Sequence, residues 1–165
     1  MSDLIIRLAA VLALRLGPQD LPAGRTTLGF TILAYLVITA FNLNRGEGHP
    51  APIPVLMLAV LLPMLLVWIV LALRNRTARW EQTLSALFGT SALLSIITLP
   101  FSLAAGGEPA PMLALVLLLS FFWSFAVDAH IWRHALEVSF PIALIVTMLL
   151  FTTSLFIITS LTGPL

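Results

Sequence analysis

Five stretches of about twenty predominantly apolar residues, none interrupted by an arginine or lysine, constrain this chain more than any other feature. They run over 26–43, 53–73, 83–105, 112–129 and 140–161. A helix of that length and apolarity matches the hydrocarbon thickness of a bilayer, where every backbone polar group must be satisfied within its own segment. The predicted fold is an all-α membrane protein with five transmembrane helices. These spans take up most of the 165 residues, so the loops are too short for a second folded unit and 1–165 reads as a single membrane-embedded domain. Charged residues make up 9% of the chain, against about 25% in a soluble domain, which leaves few side chains for chemistry.

Arginines flank the spans unevenly. Arg7, Arg15, Arg25, Arg74, Arg76, Arg79 and Arg133 fall on one side, and Arg45, beside Glu47, on the other. Basic residues near span ends are retained in the cytoplasm, so the N-terminus is predicted inside and, after five spans, the C-terminus outside. The segment 2–16 is apolar but too short to span, and a helical phase puts Asp3, Arg7 and Arg15 on one face. That pattern predicts an amphipathic helix in the cytoplasmic interface, ended by Gly17 and Pro18. Arg15 directly follows the apolar run and no small-residue cleavage site precedes Gly17, so the segment is expected to be retained rather than removed as a signal peptide.

Several function classes are excluded or disfavoured. The chain has no cysteine, hence no disulfide, thiolate metal site or cysteine nucleophile, and its net charge of +1 is too small for a nucleic-acid footprint. No Ser-His-Asp arrangement, Gly-rich phosphate loop or paired intramembrane carboxylates occur. The expectation is a protein without cofactor or enzymatic activity.

The polar residues within the spans are the candidates for function. Ser91, Ser95, Thr98 and Ser102 recur at helical spacing in the third span, with Ser85 and Gly89 one or two turns earlier. Such a row lets helix backbones approach closely, so helix packing is expected of it. A polar conduit is the alternative, and Asn42 and Asn44 sit too near an outer end to serve one. Ser120, Ser124 and Asp128 form a second row in the fourth span. A charge in the bilayer centre costs about 2.5–3.5 kcal/mol on insertion scales, so Asp128 is expected near the inner interface, paired with an arginine. A proton or substrate site is the other reading. His130, His134 and Glu137 would share a helical face if the helix continued, the weakest candidate for a metal site. Arg133 and Glu137 are more simply an i, i+4 ion pair. Pro63 and Pro100 should kink their spans, and Trp68, Trp80, Trp123 and Trp132 read as interface anchors, Trp80 and Trp132 most clearly. An offset of 59 residues superposes Pro50-Ala51-Pro52 on Pro109-Ala110-Pro111 and Arg74 on Arg133, which suggests a parallel repeat of two hairpins.

The chain resembles the bacterial branch of the YIP family, multi-pass membrane proteins named for eukaryotic members that interact with Ypt/Rab GTPases. The resemblance rests on Trp80-Glu81-Gln82-Thr83-Leu84-Ser85-Ala86-Leu87 after a basic loop, a small-residue span ending in Leu99-Pro100, and a fourth span running into His130-Ile131-Trp132-Arg133-His134-Ala135-Leu136. It covers about 20–160. The long polar N-terminal region of eukaryotic members is replaced by a short apolar segment here, and no GTPase partner follows. The resemblance implies a non-enzymatic interaction, assembly or membrane-organising factor that contacts other membrane proteins or itself. All eight basic residues being arginine points to a GC-rich bacterial source and so to the bacterial inner membrane. On this reading Arg74, Arg76, Arg79, Trp80, Asp128, Trp132, Arg133 and His134 would meet anionic headgroups or a partner. The rival from another class is a small oligomeric transporter or channel using Asp128 and the Ser/Thr rows, and a metal-binding membrane enzyme comes third.

Overall fold

A computed structural model describes residues 2–44, 53–104 and 111–162. Its helices are α1 (Ser2–Leu12), α2 (Arg25–Leu43), α3 (Ile53–Leu73), α4 (Trp80–Ala104), α5 (Pro111–Leu136) and α6 (Phe140–Thr162), with 3-10 turns at Pro18–Asp20 and Thr77–Arg79. No strand occurs among the described residues. The helices α2 to α6 are each long and apolar enough to cross a membrane, the architecture of a multi-pass membrane protein. Their outer faces carry large apolar side chains at high exposure, such as Phe122 at 61% and Phe156 at 71%. A belt of that kind is stable only against lipid or a partner.

The packing centres on the first half of α4, where Thr83, Leu84, Ser85, Ala86, Phe88, Gly89, Thr90 and Ala92 are all buried. It packs most extensively on α2, then on α5 and α1, while α6 packs on α5 and α3. Gly89 makes the closest approach possible. A Cβ there would stand 2.6 and 2.9 Å from the methyls of Leu8 and 3.2 Å from Cγ2 of Thr31, so α1, α2 and α4 meet at this one residue. The start of α2 has its own glycine, Gly24 at φ 131°, a conformation that side chains with a Cβ rarely adopt.

The structure shifts several sequence boundaries. α1 ends at Leu12 and not near Leu16, because Leu14 takes a left-handed conformation (φ 59°) with Leu14 N–H to Val11 O (2.9 Å) and Arg15 N–H to Ala10 O (2.8 Å). That bond pair is a Schellman ending without glycine. Arg15 thus leaves the helical arc it was expected to share, whereas Asp3 and Arg7 keep theirs, 3.8 Å apart. The opposite face, Leu4, Leu8 and Val11, is buried in one cluster with Leu21, Ala86, Val127 and Ile131. α1 therefore lies along the flank of α4 and α5, and Trp123 donates its indole N–H to Leu12 O at 3.1 Å. α4 begins at Trp80 and α5 continues to Leu136, seven residues beyond its apolar run.

Arg45 and the loop residues 46–52 and 105–110, on which most of the repeat rests, lie outside the described residues. The hairpins themselves are not packed alike: α4 and α5 pack along each other, and α2 and α3 touch only lightly. Arg74 follows the end of α3, and Arg133 lies inside α5.

Candidate functional site

At the end of the bundle where α3 and α5 finish and α4 begins, Arg76 and Arg79 close on Glu137. Glu137 sits one residue past α5 in the left-handed region (φ 55°), and Val138 N–H reaches back to Arg133 O at 3.1 Å. The helix stops there, so the Arg133–Glu137 pair expected of a continuing helix does not form. Arg76 instead takes both carboxylate oxygens, Nη2 to Oε2 at 2.6 Å and Nη1 to Oε1 at 2.5 Å, and Arg79 Nη2 meets the same Oε1. Arg79 also donates Nη1 to the carbonyls of His134 (3.0 Å) and Ala135 (3.1 Å). A cation placed there satisfies the unpaired acceptors of a helix C-terminus and opposes its dipole.

The hydrogen bond from Arg76, then that from Arg79, holds the Glu137 carboxyl well below its ordinary range, at about 2. Since the folded value lies below the unfolded one, this stabilisation is complete above about pH 4.5 and is lost as the pH falls toward about 2. The Glu137→Gln variant is expected to melt slightly below wild type in detergent at neutral pH, with the gap closing over that acid range. A gap that persists undiminished at the acid end would contradict the assignment. The effect is modest because the carboxylate is exposed and screened.

The other residues expected at this surface have separate fates. Trp132 is 2% exposed and belongs to the core with Ala129, Ala135 and Leu136, so it is no interface anchor; its helical phase places it on the inward face. Trp80 is half-buried and donates its indole N–H to Met64 O at 3.2 Å. Arg74 and Arg133 are exposed, and His134 is half-buried. His130 reaches Leu16 O through Nε2 at 3.0 Å; a carbonyl can only accept, so that nitrogen carries the proton. The rings of His130 and His134 lie 4.6 Å apart edge to face. With Glu137 held by two guanidinium groups, the three do not converge, and no group of three ligating side chains that could hold a metal occurs among the described residues.

Asp128 is elsewhere. It lies about 12 Å along α5 from Leu136 and lines a cavity of about 260 Å³ to which all five long helices contribute. The other polar groups there are Tyr35 from α2, Ser91 from α4, Trp132, with its indole N–H, from α5, and Thr147 and Ser154 from α6. Pro63 of α3 also lines it, and its missing N–H interrupts the α3 hydrogen-bond ladder at the cavity wall. Tyr35 hydrogen-bonds Thr39 and shares the cavity wall with Asp128, while its ring meets that of Phe88 at a tilt of 49°, centroids 5.0 Å apart. Among the described residues no arginine pairs with Asp128, contrary to the interfacial ion pair expected from the sequence.

The hydroxyl rows divide accordingly. Ser85 and Gly89 are buried in α4. Ser91, Ser95 and Thr98 instead face Ser120 and Ser124 across a second groove of about 360 Å³, which shares Tyr35 and Ser91 with the Asp128 cavity. Ser102 donates to Leu99 O at 2.9 Å. Several lining hydroxyls use their hydrogen within their own helix: Thr98 to Leu94 O (2.9 Å), Ser120 to Val116 O (2.8 Å), Ser124 to Phe121 O (2.6 Å) and Thr147 to Ala143 O (3.1 Å). Their oxygen lone pairs remain for the cavity, so the lining is rich in acceptors. Tyr35, Thr147 and Ser154 were not singled out by sequence; the i, i+7 spacing of the last two and the presence of a single tyrosine inside a span were the available signals. Comparison of the chain with protein-family models, with curated proteins and with solved structures finds no match.

Proposed function

We propose that the chain is a small membrane transporter whose working site is the Asp128 cavity. The observation that carries this reading is a carboxyl group inside the bundle, facing a hydroxyl-bearing cavity and without an ionic partner among the described residues. Ionisable groups in a spanning helix are costly, and where they face a bundle interior they mark ion, proton or substrate pathways. The cavity is too small for an open pore, so alternating exposure of one site fits it better than a continuous channel. A homo-oligomer is compatible with the apolar outer belt.

The arginine distribution supports an orientation with the α3–α4 connection in the cytoplasm, and the arginine-only basic complement supports a bacterial inner membrane. In that orientation α1 lies against the cytoplasmic half of the bundle, with the exposed Arg15 free to reach headgroups, while Arg7 donates to Asp20 O at 2.6 Å. The contact-mediated role implied by the YIP resemblance retains Arg74 and Arg133 as exposed basic groups, because Arg76 and Arg79 hold Glu137 and Trp132 is in the core.

Proteoliposomes provide the test. Wild-type protein is expected to dissipate an imposed pH gradient, or to admit members of a panel of small polar solutes, faster than protein-free vesicles, and Asp128→Asn should return the rate to the protein-free level. Wild-type vesicles indistinguishable from empty ones for protons and for every solute would overturn the reading.

A further inference from the structure

The chemistry of the cavity narrows what it can hold, given that the proposed transport reading is right. An anion is opposed by Asp128. A bare divalent cation is poorly served, because calcium takes six to eight oxygen ligands and magnesium a near-ideal octahedron, whereas here one carboxylate and scattered hydroxyls face walls built largely from Leu66, Val67, Leu87 and Leu150. A proton alone needs no cavity. The lining is matched best by a species with positive charge for Asp128, hydrogens for the acceptor oxygens, and an apolar body for the walls.

We infer that the Asp128 cavity is a binding site for a small organic ammonium ion. Its ammonium group would sit at Asp128, with Thr147 Oγ1 available as an acceptor because its hydrogen is committed to Ala143 O. The rings of Tyr35, Phe88, Trp132 and Phe151 line the same space, and aromatic faces attract cations through the ring quadrupole, more so when desolvated. Carboxylate, acceptor hydroxyls and aromatic rings thus come from α2, α4, α5 and α6 together, and each favours the same ligand class. The groove that continues from Tyr35 and Ser91 toward Thr98 and Ser120 is lined with further hydroxyl acceptors, a path along which an N–H donor stays solvated.

The full-length protein in nanodiscs, titrated with benzylammonium while tryptophan fluorescence is followed, tests this directly, since Trp132 lines the cavity. Saturable binding is expected, weakened at least about tenfold in Asp128→Asn, as loss of a buried charge partner requires. Neutral benzyl alcohol, of nearly the same shape, is expected to bind wild type at least about tenfold more weakly, a comparison that needs no variant to fold. Equal binding of the two probes, or unchanged binding in a folded Asp128→Asn protein, would overturn the inference. If benzylammonium fails to bind while Asp128-dependent proton or solute flux persists in vesicles, the ammonium assignment alone falls. Absence of both removes the transport reading as well.

Discussion

Replacing Gly89 with leucine is expected to detach α1 from the bundle, whereas alanine at the same position leaves it docked. The difference follows from what stands opposite. The nearest atoms to a Cβ at Gly89 are the two terminal methyls of Leu8, which can rotate away, and then Cγ2 of Thr31. Alanine asks for that rotation and a small shift of the Thr31 methyl, which stands 3.2 Å away, and gains about 1 kcal/mol of helix propensity over glycine. Leucine adds three further carbons where α1, α2 and α4 already meet, and overpacking of this kind typically costs about 1–3 kcal/mol. α1 is the element free to yield, because its hold on the bundle is a short row of apolar side chains, Leu4, Leu8 and Val11, and one hydrogen bond from Trp123 to Leu12 O. Trypsin cleavage after Arg7 and Arg15 reads the displacement: an acceleration of about tenfold or more is expected in Gly89→Leu, since each 1.4 kcal/mol of local opening is a factor of ten. Adding Leu8→Ala should restore part of the protection by returning the space. Unchanged cleavage in Gly89→Leu would show that the α1 seat does not lie at this residue.

Much of the fold was legible because a bilayer-length apolar run admits so few structures. Residues 53–73 were expected as a span and α3 occupies Ile53–Leu73. Where hydropathy and helix part company, the sequence misled. The apolar run ends at Asp128 and Ala129, but α5 continues to Leu136 because its polar residues find partners far away in sequence: His130 at Leu16 O, and the carbonyls of His134 and Ala135 at Arg79. Three of the six helices or their immediate ends turn through left-handed residues, Leu14, Asn75 and Glu137, and only the asparagine is a residue type that favours that conformation.

The candidate site was half visible. Asp128 and the rows Ser91, Ser95, Thr98 and Ser120, Ser124 stood out as polar residues in apolar helices, yet nothing local shows which rows face each other. Tyr35 joins them only because α2 packs on α4, and Thr147 and Ser154 only because α6 packs on α5 and α3. Arginines are ambiguous in the opposite sense. A cluster of three beside a span reads as a surface for headgroups, and two of the three prove to be bound to Glu137, more than fifty residues on. Tryptophan carries the same ambiguity, since an indole at a span end can serve lipid or core, and Trp132 serves the core.

The absence of cysteine from the chain makes a direct measurement of the cavity possible without background labelling. Ser91→Cys and Ser154→Cys place a thiol on the cavity wall, and Phe122→Cys places one on the lipid-facing surface of α5. Only a thiolate reacts with a charged methanethiosulfonate reagent, and thiolates form where water reaches. In proteoliposomes the two cavity thiols are expected to react at least about tenfold faster than the lipid-facing one with a trimethylammonium-bearing reagent, and benzylammonium should slow them both. Cavity thiols as inert as the Phe122→Cys control would mean that Asp128 faces a sealed packing defect, and the account of a working polar site in this bundle would be wrong.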